Sequence, residues 1–178
     1  MNEQNGRVAI VTGAAGGIGS VMTKALLADG HKVLAMDTDG QALDRLCSRI
    51  PENGLRVFQG DVSSEADSVQ AARECVRHFG RLEILINNAG IGVSSIRADA
   101  EKRLPAIEEL TVEIWDRFFA VNVRGAFLMT RAALPSMKAA GWGRIVNNTT
   151  SFFTMHRVLP YGATKAALES ASAIWATE

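Results

Sequence analysis

The sequence predicts an α/β protein, a doubly wound parallel sheet in a three-layer α/β/α arrangement. Three observations carry this expectation. Short apolar runs rich in β-branched residues alternate with stretches of helical spacing five times along the chain. The first run, Val8, Ile10 and Val11, breaks into glycines and resumes as a helix, as a strand buried on both faces of a parallel sheet would. The second run ends in Asp37, about twenty residues beyond those glycines.

The elements follow in order. Residues 7–19 read Arg-Val-Ala-Ile-Val-Thr-Gly-Ala-Ala-Gly-Gly-Ile-Gly, and residues 20–29 take helical spacing with Val21, Ala25 and Leu26 on one side. Gly13, Gly17 and Gly19 are spaced Gly-x-x-x-Gly-x-Gly. Glycines let a backbone approach a pyrophosphate, and a helix start offers unpaired N–H groups and a positive dipole end. A second strand, Lys32–Asp37, places its terminal carboxylate where it would accept hydrogen bonds from adenosine ribose hydroxyls. The first third of the chain is therefore expected to bind a dinucleotide. A helix over residues 40–50 stops at Pro51, and a third strand covers residues 55–59. Ser63 or Ser64 caps a helix reaching Phe79, with Glu65 and Asp67 suiting its first turn.

A fourth strand over residues 82–86 runs into Asn87-Asn88-Ala89-Gly90. Residues 91–110 are irregular, and a connection of about twenty residues is expected to hold a short helix or a substrate-facing excursion. Thr111 opens the longest helix, reaching Ala140, with Glu113 placed for a capping box and Pro135 expected to kink or interrupt the last turns. A fifth strand covers residues 145–148 and a final helix covers residues 160–178. Residues 1–178 form one domain. A sixth strand is expected to cover the fifth, which otherwise forms an exposed edge, so the chain reads as lacking a carboxy-terminal part.

Composition excludes several classes of function. The 19 basic and 19 acidic residues cancel, so no basic excess exists to meet nucleic acid or an anionic membrane. No apolar run approaches the roughly 20 residues of a membrane span, and residues 1–6 are too polar for a signal peptide. Cys47 and Cys75 are isolated and read as buried thiols rather than a disulfide, which suits the cytoplasm. His31, His78 and His156 lack ligand spacing, so no metal site is expected, and His156 reads as solvated. Trp115, Phe118, Phe119 and Phe127 follow helical spacing and read as core or subunit interface.

Tyr161-Gly-Ala-Thr-Lys165 is the second informative constellation. On a helix, residues i and i+4 share a face, and an ammonium beside a phenol favours the ionised phenol, which suits general acid/base work. Five motifs then stand in order: Thr12-Gly13-Ala14-Ala15-Gly16-Gly17-Ile18-Gly19, Asp61-Val62, Asn87-Asn88-Ala89-Gly90, Val121-Asn122-Val123 and Tyr161-x-x-x-Lys165. On these motifs the chain resembles the short-chain dehydrogenase/reductase family over essentially its whole length. The resemblance implies a Rossmann-like fold, a nicotinamide cofactor, and hydride transfer at an alcohol or ketone carbon. It implies that Tyr161 handles the substrate proton, that Lys165 assists it and holds the nicotinamide ribose, and that Asn122 holds a water in a proton relay. Gly13, Ala15, Gly17, Ile18 and Gly19 would cradle the cofactor, with Asp61 and Val62 at the adenine and Asn88, Ala89 and Gly90 along its centre. The family also places a serine about a dozen residues before the tyrosine. Here Ser151 stands ten positions before Tyr161 and is the first choice to polarise a carbonyl, with Thr150 the alternative. In similar proteins the long helix and the last helix pack across a homodimer or homotetramer contact.

Charge decides between cofactors. Asp37 would accept from ribose hydroxyls and repel a 2′-phosphate, and residues 14–17 offer no basic side chain, so NAD is expected over NADP. The function expected is an NAD-dependent oxidoreductase of alcohols and ketones. The alternative is a non-catalytic NAD-binding module or inactive truncated fragment.

Overall fold

The computed structural model describes residues 6–50, 53–100 and 102–177. Five parallel strands, β1 (Val8–Thr12), β2 (Lys32–Asp37), β3 (Leu55–Gln59), β4 (Ile84–Asn87) and β5 (Arg144–Asn147), lie in the order β3-β2-β1-β4-β5. Chain order thus runs outward from β1 in one direction and, after β3, outward in the other. β1 is the middle strand, and every one of its residues is buried. Its side chains alternate between two cores. Val8 and Ile10 pack with Leu34, Met36, Leu85, Ala71, Cys75 and Met129 on one face. Ala9 and Val11 pack with Leu27, Val33, Leu43, Leu46 and Ile86 on the other. The period of two in this strand divides the molecule into its layers.

Helix ends follow the local chemistry. α1 (Gly17–Ala28) starts inside the glycine stretch rather than at Ser20, with Gly16 as its cap and no side chain closing its first turn. α2 (Gly40–Arg49) is capped by Asp39, whose Oδ1 accepts from Ala42 N–H at 2.9 Å. Pro51, expected to stop it, lies outside the described residues. Ser64, not Ser63, caps α3 (Glu65–Phe79), and Gly80 closes it at φ 82°. Ser63 is drawn instead to Asp61, whose Oδ1 accepts from its N–H and hydroxyl at 2.8 Å each. Among the described residues of 91–110 there are two single 3₁₀ turns, Val93–Ser95 and Ile107–Glu109. Arg97 and Arg103 both pair with Glu109, whose carboxyl is held at about 2 by the Ala106 N–H and the Arg103 guanidinium.

The long helix differs from its expected course. Thr111 does cap it, accepting from Ile114 N–H at 3.3 Å, but Glu113 stands one position short of the capping-box site. α4 (Val112–Phe119) gives way to a π-helical stretch, Ala120–Arg124, before α5 (Gly125–Ala139) resumes. Pro135 sits inside α5 without ending it. The interruption is set by Asn122, as shown below. Phe118 is fully buried, whereas Trp115 and Phe127 are 39% and 42% exposed. A short α6 (Phe152–Met155) precedes α7 (Tyr161–Trp175). Glu178, the expected end of that helix, lies outside the described residues. β5 has a strand on only one side among the described residues, and Val146 is 48% exposed there. No described helix is long and apolar enough to cross a membrane, and no described group of His, Cys, Asp and Glu could hold a metal.

Two glycines of the loop are sterically required. Gly13 has φ 62°, and a Cβ there would lie 2.9 Å from Ala89 Cα; a Cβ on Gly19 would overlap the Gly13 carbonyl. Nothing lies within 4 Å of a Cβ on Gly17. Gly13→Ala should therefore destabilise the chain by at least about 2 kcal/mol, since left-handed backbone alone costs about 1–2. Gly17→Ala should leave stability unchanged or raise it by up to about 1 kcal/mol. Urea unfolding of both variants checks this; equal midpoints for the two would contradict it.

Candidate active site

β1 and β4 are neighbours, yet the chain leaves them toward opposite faces, and the carboxyl ends of such a pair open into a crevice. A cleft of about 970 Å³ lies there. It brings together Gly13, Gly17, Ile18, Gly19, Asp37, Asp61, Val62, Asn88, Ala89, Gly90, Tyr161 and Lys165, twelve residues that the sequence singles out on five separate segments. Ala15 takes part through its backbone, its N–H donating to Asp37 Oδ2 at 3.0 Å. With Asp39 N–H on Oδ1 at 3.2 Å, the Asp37 carboxylate is fixed at one end of the cleft.

The glycine loop is tied to β4 by the hydroxyl of Thr12, which is buried. It donates to Ile86 O at 3.2 Å and accepts from Asn88 N–H at 3.1 Å and Ala89 N–H at 3.0 Å. The Asn88 amide nitrogen donates back to Thr12 O at 3.0 Å and Gly13 O at 3.2 Å. Asn88 therefore both lines the cleft and locks the loop. The first-turn N–H groups of α1 meet no side-chain cap and open onto the same cleft, an arrangement suited to a pyrophosphate.

Lys165 stands at the other end. It is 3% exposed, its Nζ donates to Asn148 O at 2.6 Å, and it lies 5.6 Å from the centre of the Tyr161 ring. Burial pulls its ammonium down to about 8. The i, i+4 spacing on α7 thus delivers phenol and ammonium to one place, as the motif implies.

Two expected residues take other partners. Asn122 is 1% exposed and does not line the cleft. Its Oδ1 accepts from Ile91 N–H at 2.8 Å, and its Nδ2 donates to Ile91 O at 3.1 Å and Thr164 Oγ1 at 3.0 Å. Both amide hydrogens are spent, and the π-helical turn is what carries the side chain to Ile91 and Thr164. Ser151 is exposed and caps α6, its Oγ accepting from Thr154 N–H at 3.3 Å and facing Thr154 Oγ1 at 3.1 Å. Thr150 is half-buried one residue earlier. His156 is exposed, with Nδ1 2.9 Å from Phe152 O, and Cys47 and Cys75 are free.

The sequence reading missed the second pair of asparagines. Asn87 and Asn147 stand in register across β4 and β5, and Asn87 Nδ2 donates to Asn147 Oδ1 at 2.8 Å. Asn147 Nδ2 in turn donates to Ser172 Oγ on α7 at 2.7 Å. One residue on, Asn148 Nδ2 donates to Asn88 Oδ1 at 3.0 Å. Identical Asn-Asn dipeptides at the ends of two strands were the available signal. A groove of about 920 Å³ between α3 and α5, lined in part by Val69, Val76, Ala132 and Pro135, has no such array of groups.

Fold and site together define a Rossmann-type α/β protein with a glycine-loop cleft at the switch point of its sheet. Comparison with known proteins narrows the class: the family model described as short chain dehydrogenase matches residues 7–178, and the chain belongs to that family. It is 35% identical over 179 residues to a D-threitol dehydrogenase of Mycolicibacterium smegmatis, covering 98% of this chain and 65% of that one. It is 39% identical over 147 residues to a D-beta-hydroxybutyrate dehydrogenase of Cupriavidus necator, covering 80% and 52%. A short-chain dehydrogenase from Streptomyces avermitilis superposes with TM-score 0.82 at 30% identity, covering 99% and 61%. A 3-ketoacyl-(acyl-carrier-protein) reductase from Brucella melitensis, complexed with NADH, does so with TM-score 0.81 at 34% identity, covering 94% and 67%. The chain thus spans about two thirds or less of the length of these relatives.

The buried ammonium has a measurable consequence. Its folded value of about 8 lies below the unfolded one near 10.5, so the unfolded chain binds more protons between these values. The penalty is complete below about pH 8 and fades as pH rises toward 10.5. Wild type should therefore gain about 3 kcal/mol relative to Lys165→Met between pH 7.5 and 10.5. Urea midpoints of both proteins across that range check the sign; parallel curves would contradict it.

Proposed function

We propose that this chain is an NAD-dependent oxidoreductase of alcohols and ketones, with NAD preferred to NADP. The observation that carries the proposal is one cleft with a fixed carboxylate at Asp37 at one end and Tyr161 beside the buried Lys165 ammonium at the other. When bound, the nicotinamide supplies or accepts the hydride. Asp37 receives the adenosine ribose hydroxyls and turns away a 2′-phosphate. The open N–H groups at the start of α1 receive the pyrophosphate. Lys165 donates to the nicotinamide ribose, while the Tyr161 oxygen exchanges a proton with the substrate oxygen.

Ser151 remains the first choice to polarise the substrate oxygen, with Thr150 the alternative, because a hydroxyl that accepts from the Thr154 N–H still has its own O–H to donate. The names of the relatives, a threitol and a hydroxybutyrate dehydrogenase and a ketoacyl reductase, support an alcohol/ketone substrate. A second reading, nucleotide binding without turnover, is supported by Asn122, whose amide is bonded to Ile91 and Thr164 rather than open to the cleft.

Dissociation constants and turnover separate the readings. NAD should bind at least about tenfold more tightly than NADP, and Asp37→Ala with Thr38→Arg should narrow or reverse the preference. Tyr161→Phe should cut turnover by 10²-fold or more with cofactor affinity nearly unchanged. Tight binding without turnover by wild type would favour the second reading, and a wild-type preference for NADP would overturn the cofactor assignment.

A further inference from the structure

We infer that Asn148 is a positioning residue, aiming the Lys165 ammonium at the bound dinucleotide and coupling it to the glycine loop. The inference rests on the reading of the cleft given above. Asn148 follows β5 directly and lines the cleft. Its N–H donates to Asn87 O at 3.0 Å, extending the β4 pairing by one residue. Its carbonyl accepts from Lys165 Nζ at 2.6 Å. Its side-chain amide donates to Asn88 Oδ1 at 3.0 Å, and Asn88 passes the connection on to Thr12 O and Gly13 O. Two carboxamides thus join the loop expected to hold the pyrophosphate to the ammonium expected to hold the ribose.

The chemistry explains why this residue does the aiming. An ammonium has three donors in a fixed tetrahedral set, so directing one at a carbonyl fixes the cone on which the other two lie. That carbonyl belongs to a peptide at the very end of a strand, with no helix until Phe152. The N–H of the residue is held by the sheet, but the carbonyl can still swing about the following backbone bond. The tether from the same residue's amide to Asn88 restrains that swing. β5 does not need the tether for its own placement, because Asn87, Asn147 and Ser172 already bind it to β4 and α7. Loss of the amide should therefore leave the fold and loosen the ammonium.

The test titrates NADH into the full chain, wild type and Asn148→Leu, Lys165→Met and the double variant, alongside thermal unfolding. Asn148→Leu, close in shape but without amide groups, should weaken NADH about fivefold, equivalent to about 1 kcal/mol, with an unfolding midpoint near that of wild type. In the Lys165→Met background the same change should cost less than about twofold. The pH above which NADH affinity falls should also move down in Asn148→Leu, because an ammonium with a misplaced acceptor loses its proton more readily. Should the leucine variant not fold, Asn148→Ala carries the same expectations. An unchanged dissociation constant, an equal factor in both backgrounds, or an unmoved pH midpoint overturns the inference. Wild type that binds no NADH overturns the reading of the cleft and the inference together, whereas wild-type binding with an indifferent Asn148→Leu overturns the inference alone.

Discussion

The hydroxyl of Thr12 is the joint on which the rest depends. β1 and β4 must lie side by side with their carboxyl ends level, although their chains then depart to opposite faces of the sheet. A single buried oxygen with bonds to Ile86, Asn88 and Ala89 holds those ends together. Thr12 is buried, so leaving its hydroxyl without a partner would cost about 1–3 kcal/mol, and the joint has little freedom to open. Gly13 can then adopt its left-handed turn directly against Ala89, where any side chain would collide. The glycine loop has its shape because β4 is there, and the cleft has its floor because the loop is.

Charge is arranged along this cleft rather than spread around it. A carboxylate fixed by two backbone N–H groups marks one end. Uncapped N–H groups of α1 occupy the middle, and a desolvated ammonium marks the other end. In a chain with no net charge, these local fields are what can orient a long ligand with polar groups of different kind along its length. The buried lysine also costs stability in the folded chain below about pH 8. A cost of that kind, set in a cleft beside a tyrosine, is characteristic of functional sites.

What could be read from the sequence was local. The central strand, the glycine spacing, Asp37 and the Tyr161–Lys165 pair all announce themselves within a few residues, and each lies where its pattern places it. What could not be read depends on partners far along the chain. The break in the long helix was expected at the visible proline, Pro135, which α5 absorbs. It falls instead at Asn122, whose amide must reach residues 31 and 42 positions away. Ser151 stands at the start of a helical turn and its hydroxyl also caps that turn, a second use that the sequence alone does not show. The two Asn-Asn pairs acquire meaning only through the register of β4 against β5.

In the proposed complex one dinucleotide spans the cleft from Asp37 to Lys165, and hydrogen exchange of the chain with and without NADH tests that span. Protection should appear together at the amides of Gly13 to Ser20, at those following Asn87, and around Asn148 and Lys165. Protection confined to the groove between α3 and α5, or to the glycine loop with none near Lys165, would contradict it.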